Sequence, residues 1–366
     1  MRTDELVKIA KRRKLDLALV AGQANIRALT GINCDNAVLA VGVGQVGRVG
    51  QVGRVGQERV TLYTDFRYVP MVHRLAPTLK CSDLRQLGRQ HSCRRIGYES
   101  SVSHAQFLAW QKKFPKAKFV DIAKDLAAIR AVKTPEEIVG LRAAEKLNCD
   151  IWNAARQKFR AGMTERQMAR IIQKMMIERG EGEAFDTIVC VGKNAAECHH
   201  EPDDMVWNGR EPVLVDMGVK LNGFCSDLTR NVRPGECSHA EAQRRRGFRK
   251  TGLYWKVYDL VLKANEAAIA AAKPGMTGKQ LDKVARDVIK QGGFGKCFGH
   301  SLGHGVGYEI HEAPSASKKG EMVLKPGMLV TIEPGIYLED NLGVRIEDLV
   351  LITETGCEVL SATAAK

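Results

Sequence analysis

Apolar and polar positions alternate with two different rhythms along this chain. Residues 3–14 place apolar side chains at helical intervals among charges, which predicts a short amphipathic helix. Leu17-Ala18-Leu19-Val20-Ala21 and Ala37-Val38-Leu39-Ala40-Val41 are compact apolar runs suited to buried strands, and Val60-Thr61-Leu62-Tyr63-Thr64 is a third strand rich in β-formers. From Val120 to Lys133 the spacing of Ile122, Leu126, Ile129 and Val132 is helical. Thr134-Pro135-Glu136-Glu137 then reads as a helix start, with Thr134 as N-cap, Pro135 in the first turn and Glu137 in the capping-box position. That helix continues through Ile138, Leu141, Ala144 and Leu147. A domain boundary is placed here, with residues 1–125 as an N-terminal domain and 126–366 as a second, larger one.

In the second part, helical patterns over 164–177, 251–272 and 277–290 alternate with strand candidates at 187–191, 213–217, 330–333 and 349–353. Few of these strands are joined by the helical crossovers a parallel sheet needs, so this half reads as α+β with a mixed, mainly antiparallel sheet. Between the second and third strands, a tract at about 42–58 repeats Gly44-Gln45-Val46-Gly47-Arg48-Val49 as Gly50 to Val55. Glycine at every third residue matches the collagen period, but the tract has no proline and is too short for a triple helix. It reads as an expanded, flexible hairpin loop with no chemistry of its own.

Composition narrows the class. The 366 residues are 44% hydrophobic and 27% charged, values of a folded globular chain long enough for two domains. No apolar segment follows the N-terminal charges as in a secretory signal, and no run of about 18 apolar residues occurs. A cytoplasmic protein without membrane contact is expected. Its ten cysteines include no Cys-x-x-Cys, which favours reduced thiols over disulfides or a thiolate zinc site. The net charge of +14 is spread out; its densest run, Arg244-Arg245-Arg246 to Arg249-Lys250, reads as a solvated helix face, and no nucleic-acid partner is required.

Candidate chemistry gathers at strand ends in the larger half. Asp216 closes the apolar run Val213-Leu214-Val215, and Asp227 follows eleven residues on, with the hairpin signal Asn222-Gly223 between them. A hairpin would bring the two carboxylates side by side, where they repel unless a proton or a metal separates them. Gly299-His300-Ser301-Leu302-Gly303-His304-Gly305 and His311 set three histidines among glycines. Glu333 follows an apolar strand, and Glu347 lies between Ile346 and the next strand. Any one of these residues is explained by a turn, a cap or a solvated surface; the set of four carboxylates and one imidazole is not.

The motifs Val-Asp-Met-Gly, Ser-Asp-Leu-Thr-Arg, Gly-His-Gly-Val-Gly, Ile-Glu-Pro-Gly-Ile-Tyr and Val-Arg-Ile-Glu-Asp, in this order, resemble the pita-bread metallopeptidases. Asn25-Ile26-Arg27-Ala28-Leu29-Thr30-Gly31, Leu62 to Tyr68 and Arg130 to Ile138 resemble the aminopeptidase P and prolidase branch, which carries an N-terminal domain that methionine aminopeptidase lacks. The resemblance implies an α+β, pita-bread catalytic domain behind a smaller α/β creatinase-like domain. It implies two divalent metal ions, manganese first and cobalt or zinc as alternatives, with Asp216 on one ion, His304 and Glu333 on the other, and Asp227 and Glu347 bridging. A metal-bridging hydroxide would attack the scissile carbonyl, with Glu333 shuttling the proton.

His199 and His311 match the family's substrate and transition-state histidines. His200 is the alternative to His199, and Cys198 stands where the family usually has proline. His300 and Arg345 match positions lining the proline-side pocket, and Thr229 and Asp348 are candidates to orient the ligands. The expected activity is that of an Xaa-Pro aminopeptidase acting on proline-containing peptides, with Xaa-Pro dipeptidase (prolidase) as the alternative. A non-peptidase enzyme or a binding protein on the same fold is more distant. A homodimer is expected.

Overall fold

The structure, a computed structural model, describes residues 2–42, 59–88, 93–234 and 252–366. The glycine–valine repeat, the arginine run 244–250, Cys237 and the first residue of the helix expected at 251–272 lie outside the described residues. The chain divides into two compact units, Met1–Arg130 and Ala131–Lys366.

The first unit is built on a six-stranded sheet of β1 (Leu17–Val20), β2 (Ala37–Gly42), β3 (Arg59–Thr64), β4 (Lys80–Asp83), β5 (Arg95–Tyr98) and β6 (Lys118–Asp121), in the order β4-β3-β2-β1-β5-β6. β1 runs antiparallel to β2 and parallel to β5. Leu17 and Leu19 pack on one face with Val38, Ile96 and Trp110, while Ala18 and Val20 pack on the other with Leu39, Val41 and Leu62. Both faces of the central strands are covered, which is why they read as continuous apolar runs rather than alternating ones. Helices α1 (Thr3–Arg12), α2 (Gln23–Thr30), α3 (Val69–Leu75), α4 (His104–Lys113) and α5 (Ala123–Ala131) complete the unit. The helix expected from Val120 begins only at Ala123, because Val120 pairs with Gly97 in the parallel β5–β6 ladder. Strand pairing overrides the local helical spacing there.

In the second unit α6 (Pro135–Ala155) starts with the capping box read from the sequence: Thr134 Oγ1 accepts from Glu137 N at 3.2 Å, and Glu137 Oε2 accepts from Thr134 N at 2.8 Å. α6 and α7 (Glu165–Arg179) pack on β7 (Ile188–Val191), β8 (Val213–Met217) and β11 (Leu228–Val232), with the hairpin β9 (Lys220–Leu221) and β10 (Phe224–Cys225) between the last two. α8 (Leu253–Ala271) and α9 (Gly278–Gln291) pack on β14 (Leu329–Ile332), β15 (Gly335–Leu338), β16 (Leu342–Arg345) and β17 (Asp348–Ile352). β12 (Gly303–Gly305), β13 (Glu312–Ala316) and β18 (Cys357–Val359) finish the set. Every pair of these strands is antiparallel among the described residues.

The two halves of this unit share a device. Gly162-Met163-Thr164 before α7 and Gly275-Met276-Thr277 before α9 each place a left-handed glycine two residues ahead of a threonine N-cap, and each threonine forms a capping box with a glutamine three residues on.

β12 is held against β14: Glu333 N donates to Leu302 O at 2.9 Å, and His304 N donates to Thr331 Oγ1 at 3.0 Å. A Cβ on Gly303 would lie 1.9 Å from the Thr331 carbonyl oxygen, a backbone atom that cannot give way. Gly303→Ala is therefore expected to destabilise the protein by at least about 1–3 kcal/mol, the range of core overpacking, as read from denaturant unfolding.

Candidate active site

Backbone geometry brings the strand ends together. Asn222 and Gly223, both with positive φ, close the β9–β10 hairpin that the Asn-Gly pair predicts. β11 then returns along β8 with Thr229 opposite Asp216, which leaves Asp227 one residue before β11. Glu333 follows β14, Glu347 sits between β16 and β17, and His304 is the middle residue of β12. Asp216, Asp227, His304, Glu333 and Glu347 all line one cavity of about 560 Å³, together with His199, His300, His311 and Arg345.

His304 Nε2 stands 3.5 Å from Asp227 Oδ2 and 3.5 Å from Glu333 Oε1. Ligand-type atoms of Asp227, His304 and Glu347 all lie within 4.8 Å of one another. Asp216 Oδ1 is buried without a hydrogen-bond partner among the described residues. His304 Nδ1 lies 3.1 Å from the Gly305 carbonyl, which can only accept, so the proton sits on Nδ1 and the Nε2 lone pair faces the carboxylates.

The electrostatics are strongly unfavourable for bare carboxylates. Burial, then repulsion from Glu347, Asp216 and Glu333, pushes Asp227 well above the ordinary range. Burial, then Glu333 and Asp216, does the same to Glu347. Glu333 is pushed up to about 8 by burial, with Asp216 raising it and Arg345 opposing. Burial lowers His304 to about 4, so its imidazole is neutral at physiological pH. Four crowded carboxylates and a neutral imidazole with its lone pair turned inward fit hard or borderline divalent cations, whose charge reverses the local repulsion.

Arg345 organises one wall. It donates from Nη2 to Asp216 Oδ2 at 2.6 Å, from Nη1 to the Tyr337 hydroxyl at 2.8 Å and from Nε to Thr229 Oγ1 at 3.0 Å. Thr229 Oγ1 in turn donates a hydrogen bond to Glu347 Oε2 at 2.7 Å. His300, lowered to about 4 mainly by burial, has Nδ1 on the Ser301 carbonyl and Nε2 2.9 Å from the Tyr337 hydroxyl. Tyr337 thus accepts from Arg345 and donates to His300. Asp348 does not touch the cluster. It accepts Arg230 Nη2 at 2.8 Å, and Arg230 in turn donates to the Glu347 carbonyl.

Three contributors escape a reading of the sequence: Glu145, Arg230 and Tyr337. Glu145 on α6 is fully buried, pushed up to about 8 by burial, and accepts the Asp227 N–H at 3.1 Å. Its signal is an acid on the same helix face as Leu141, Asn148 and Trp152, at spacings of three and four. Arg230 and Tyr337 lie inside the family motifs, next to residues whose chemistry is more conspicuous.

The adjacent His199 and His200 part company. His199 is exposed at the cavity, whereas His200 is buried, with Nε2 2.8 Å from Glu165 Oε2.

Comparison with known proteins places this arrangement. The model of metallopeptidase family M24 matches residues 139–354, and that of the creatinase/prolidase N-terminal domain matches residues 2–132. The chain is 40% identical over 269 residues to a Xaa-Pro dipeptidase of Pyrococcus furiosus, covering 73% of this chain and 74% of that one. The solved prolidase of Pyrococcus furiosus superposes with a TM-score of 0.82 at 32% identity, over 97% of this chain and 98% of that one. An X-Pro aminopeptidase of Thermotoga maritima superposes at 0.79 with 30% identity, over 96% of this chain and 97% of that one. Among the described residues no helix is long and apolar enough to cross a membrane. With a creatinase-like N-terminal domain ahead of a pita-bread peptidase domain, the chain belongs to metallopeptidase family M24.

Proposed function

We propose that this protein is a metal-dependent Xaa-Pro dipeptidase. The observation that carries the reading is the 40% identity to a protein named Xaa-Pro dipeptidase, joined to a cavity lined by the five ligand-type residues. That likeness favours the dipeptidase over the aminopeptidase expected from the motifs. Asp216, Asp227, His304, Glu333 and Glu347 would hold two divalent ions, for which manganese is the first choice of so oxygen-rich a set. Such ions, when bound, acidify water and polarise the scissile carbonyl.

The chain's own groups do the rest. Glu333, ionised once a cation offsets its neighbours' repulsion, can take the proton of the attacking water on a carboxylate oxygen and return it to the leaving proline nitrogen. His199 and His311 are both exposed at the cavity, where a substrate carbonyl or carboxylate can meet them. His300 and Arg345, joined through Tyr337, form the wall assigned to the proline ring. A domain boundary at residues 125–126, a homodimeric assembly and a cytoplasmic location belong to the same reading.

Hydrolysis of Ala-Pro and of Ala-Pro-Ala by metal-stripped protein resupplied with manganese tests it. Ala-Pro is expected to be cleaved and the tripeptide spared. Rapid cleavage of the tripeptide would restore the aminopeptidase. Cleavage of neither, with metal confirmed bound, would remove the proline-directed reading.

A further inference from the structure

The cavity wall that carries Cys198 and His199 belongs to the segment between β7 and β8, and one carboxylate outside the cluster ties the chain on both sides of His199. Glu165, the first residue of α7, is fully buried. Its Oε1 accepts Val191 N at 2.6 Å and Asn194 Nδ2 at 3.0 Å; its Oε2 accepts Asp203 N at 3.0 Å and faces His200 Nε2 at 2.8 Å. The other ring nitrogen of His200 lies 3.2 Å from Glu197 Oε2. Both nitrogens therefore meet carboxylate oxygens, an arrangement that only the doubly protonated ring satisfies.

We propose that Glu165 and the imidazolium of His200 form an ionic clamp that holds His199 in the cavity, which makes them positioning residues for peptide hydrolysis. His199 follows Cys198, whose carbonyl is 3.4 Å from Arg345 Nη1, so the exposed histidine is held from both sides, by Arg345 before it and by the clamp after it. The second half of the unit makes the role of Glu165 plain. At the equivalent position of the repeated helix start stands Gly278, where a Cβ would come within 1.9 Å of the Ser315 carbonyl oxygen. There the β13 backbone docks directly on the helix start; in the first half a carboxylate intervenes and reaches four donors.

Glu165, His200 and Asp203 also offer ligand-type atoms within 4.8 Å of one another, yet a cation there would face the N–H groups aimed at both Glu165 oxygens. The groups facing His200 are Glu165 from α7 and Glu197, Asp203 and the Asn194 amide from its own segment; Arg166, next on α7, is paired with Asp204 at 2.6 Å. Burial lowers the proton affinity of His200, but hydrogen bonds to Glu165 and Glu197 outweigh it and raise its pKa from the ordinary imidazole value. The clamp is closed while the ring keeps both protons and opens as pH rises through this raised pKa.

The inference rests on the peptidase reading of the cavity, and its test separates the two. In the manganese-loaded full chain, kcat and KM for Ala-Pro are followed from pH 6 to 10 for wild type, His200→Ala and His200→Gln. His200→Ala is expected to lose about ten- to a hundredfold, mainly in kcat, as a misplaced group does. His200→Gln, which keeps one donor for Glu165 and does not titrate, is expected to recover most of the neutral-pH rate and to lose the alkaline limb seen in wild type. Wild-type kcat in His200→Ala, or a His200→Gln no better than His200→Ala with an unchanged pH profile, would overturn the clamp.

Where a variant does not fold, hydrogen–deuterium exchange at the histidine C2 positions of the wild type decides. His200 is expected to exchange more slowly than His199 and to titrate above an ordinary imidazole, and faster exchange or a lowered pKa overturns the clamp. A wild type inactive on Ala-Pro sinks the substrate reading alone, because the exchange measurement needs no turnover.

Discussion

Asp227→Asn is expected to abolish hydrolysis of Ala-Pro and to leave the metal-stripped protein at least as stable as the wild type. The first effect follows from the place of Asp227, one residue before β11 and 3.5 Å from His304 Nε2, within the group of ligand-type atoms. An amide of the same shape carries no charge to hold a cation. Losing the transition-state stabilisation a metal centre supplies, several kcal/mol, corresponds to about a thousandfold in rate or more. The second effect has the opposite sign to most core substitutions. Asp227 is buried against Glu347, Asp216 and Glu333, each of which raises its pKa, and an amide of the same volume is neutral at every pH, so the stripped fold no longer has to hold a proton there to escape the repulsion. Steady-state kinetics beside metal analysis, and calorimetry of chelator-treated protein, read the two effects. A variant that keeps its metal and its rate would take Asp227 out of the centre.

Metal-stripped wild type is expected to be most stable near pH 5 and to lose stability toward pH 8, with saturating manganese reversing the loss. Glu333 titrates near its ordinary 4.5 in the unfolded chain and at about 8 in the folded one. Between those values the folded chain keeps a proton that the unfolded chain has released, so raising the pH favours unfolding. Below 4.5 both states are protonated and the contribution is fully present; above about 8 it is gone. Asp227 and Glu347, also raised, act in the same direction. The summed effect is on the order of a few kcal/mol, since a tenfold change in a group's proton affinity on folding is worth about 1.4 kcal/mol and neighbouring sites share their repulsion. Melting temperatures across this range, with and without manganese, check it, and a profile that rises with pH in the stripped protein would contradict it.

The parts of this protein that are legible from sequence are those whose local chemistry and tertiary role agree. Thr134 and Glu137 cap α6 as their spacing says, and β1, β2 and β3 announce themselves because both of their faces are covered. Asp216, Asp227, His304, Glu333 and Glu347 can be singled out because each stands in or beside a strand, where a carboxylate or imidazole is conspicuous against apolar neighbours. Where the local signal is weak or misleading, tertiary contacts decide. β4, β5 and β6 are short, half-polar strands toward the sides of the sheet, and Val120 is drawn into β6 against its helical spacing. Glu145 is hidden inside a long helix, and the choice between His199 and His200 depends on Glu165, more than thirty residues earlier in the chain. The choice between dipeptides and longer peptides leaves no mark that the motifs could carry.

The single inward lone pair of His304 among raised carboxylates has a consequence for how the centre fills. In the proposed centre the imidazole, at about 4, would give up nothing when a cation arrives, whereas Glu333, Glu347 and Asp227 would have to shed whatever protons they hold. Loading metal at neutral pH would therefore acidify the medium, and each proton displaced would make the apparent affinity climb by about tenfold per pH unit. A fall in ambient pH would silence such an enzyme by emptying it, and the protein left behind would be in its most durable form, folded and ready to refill.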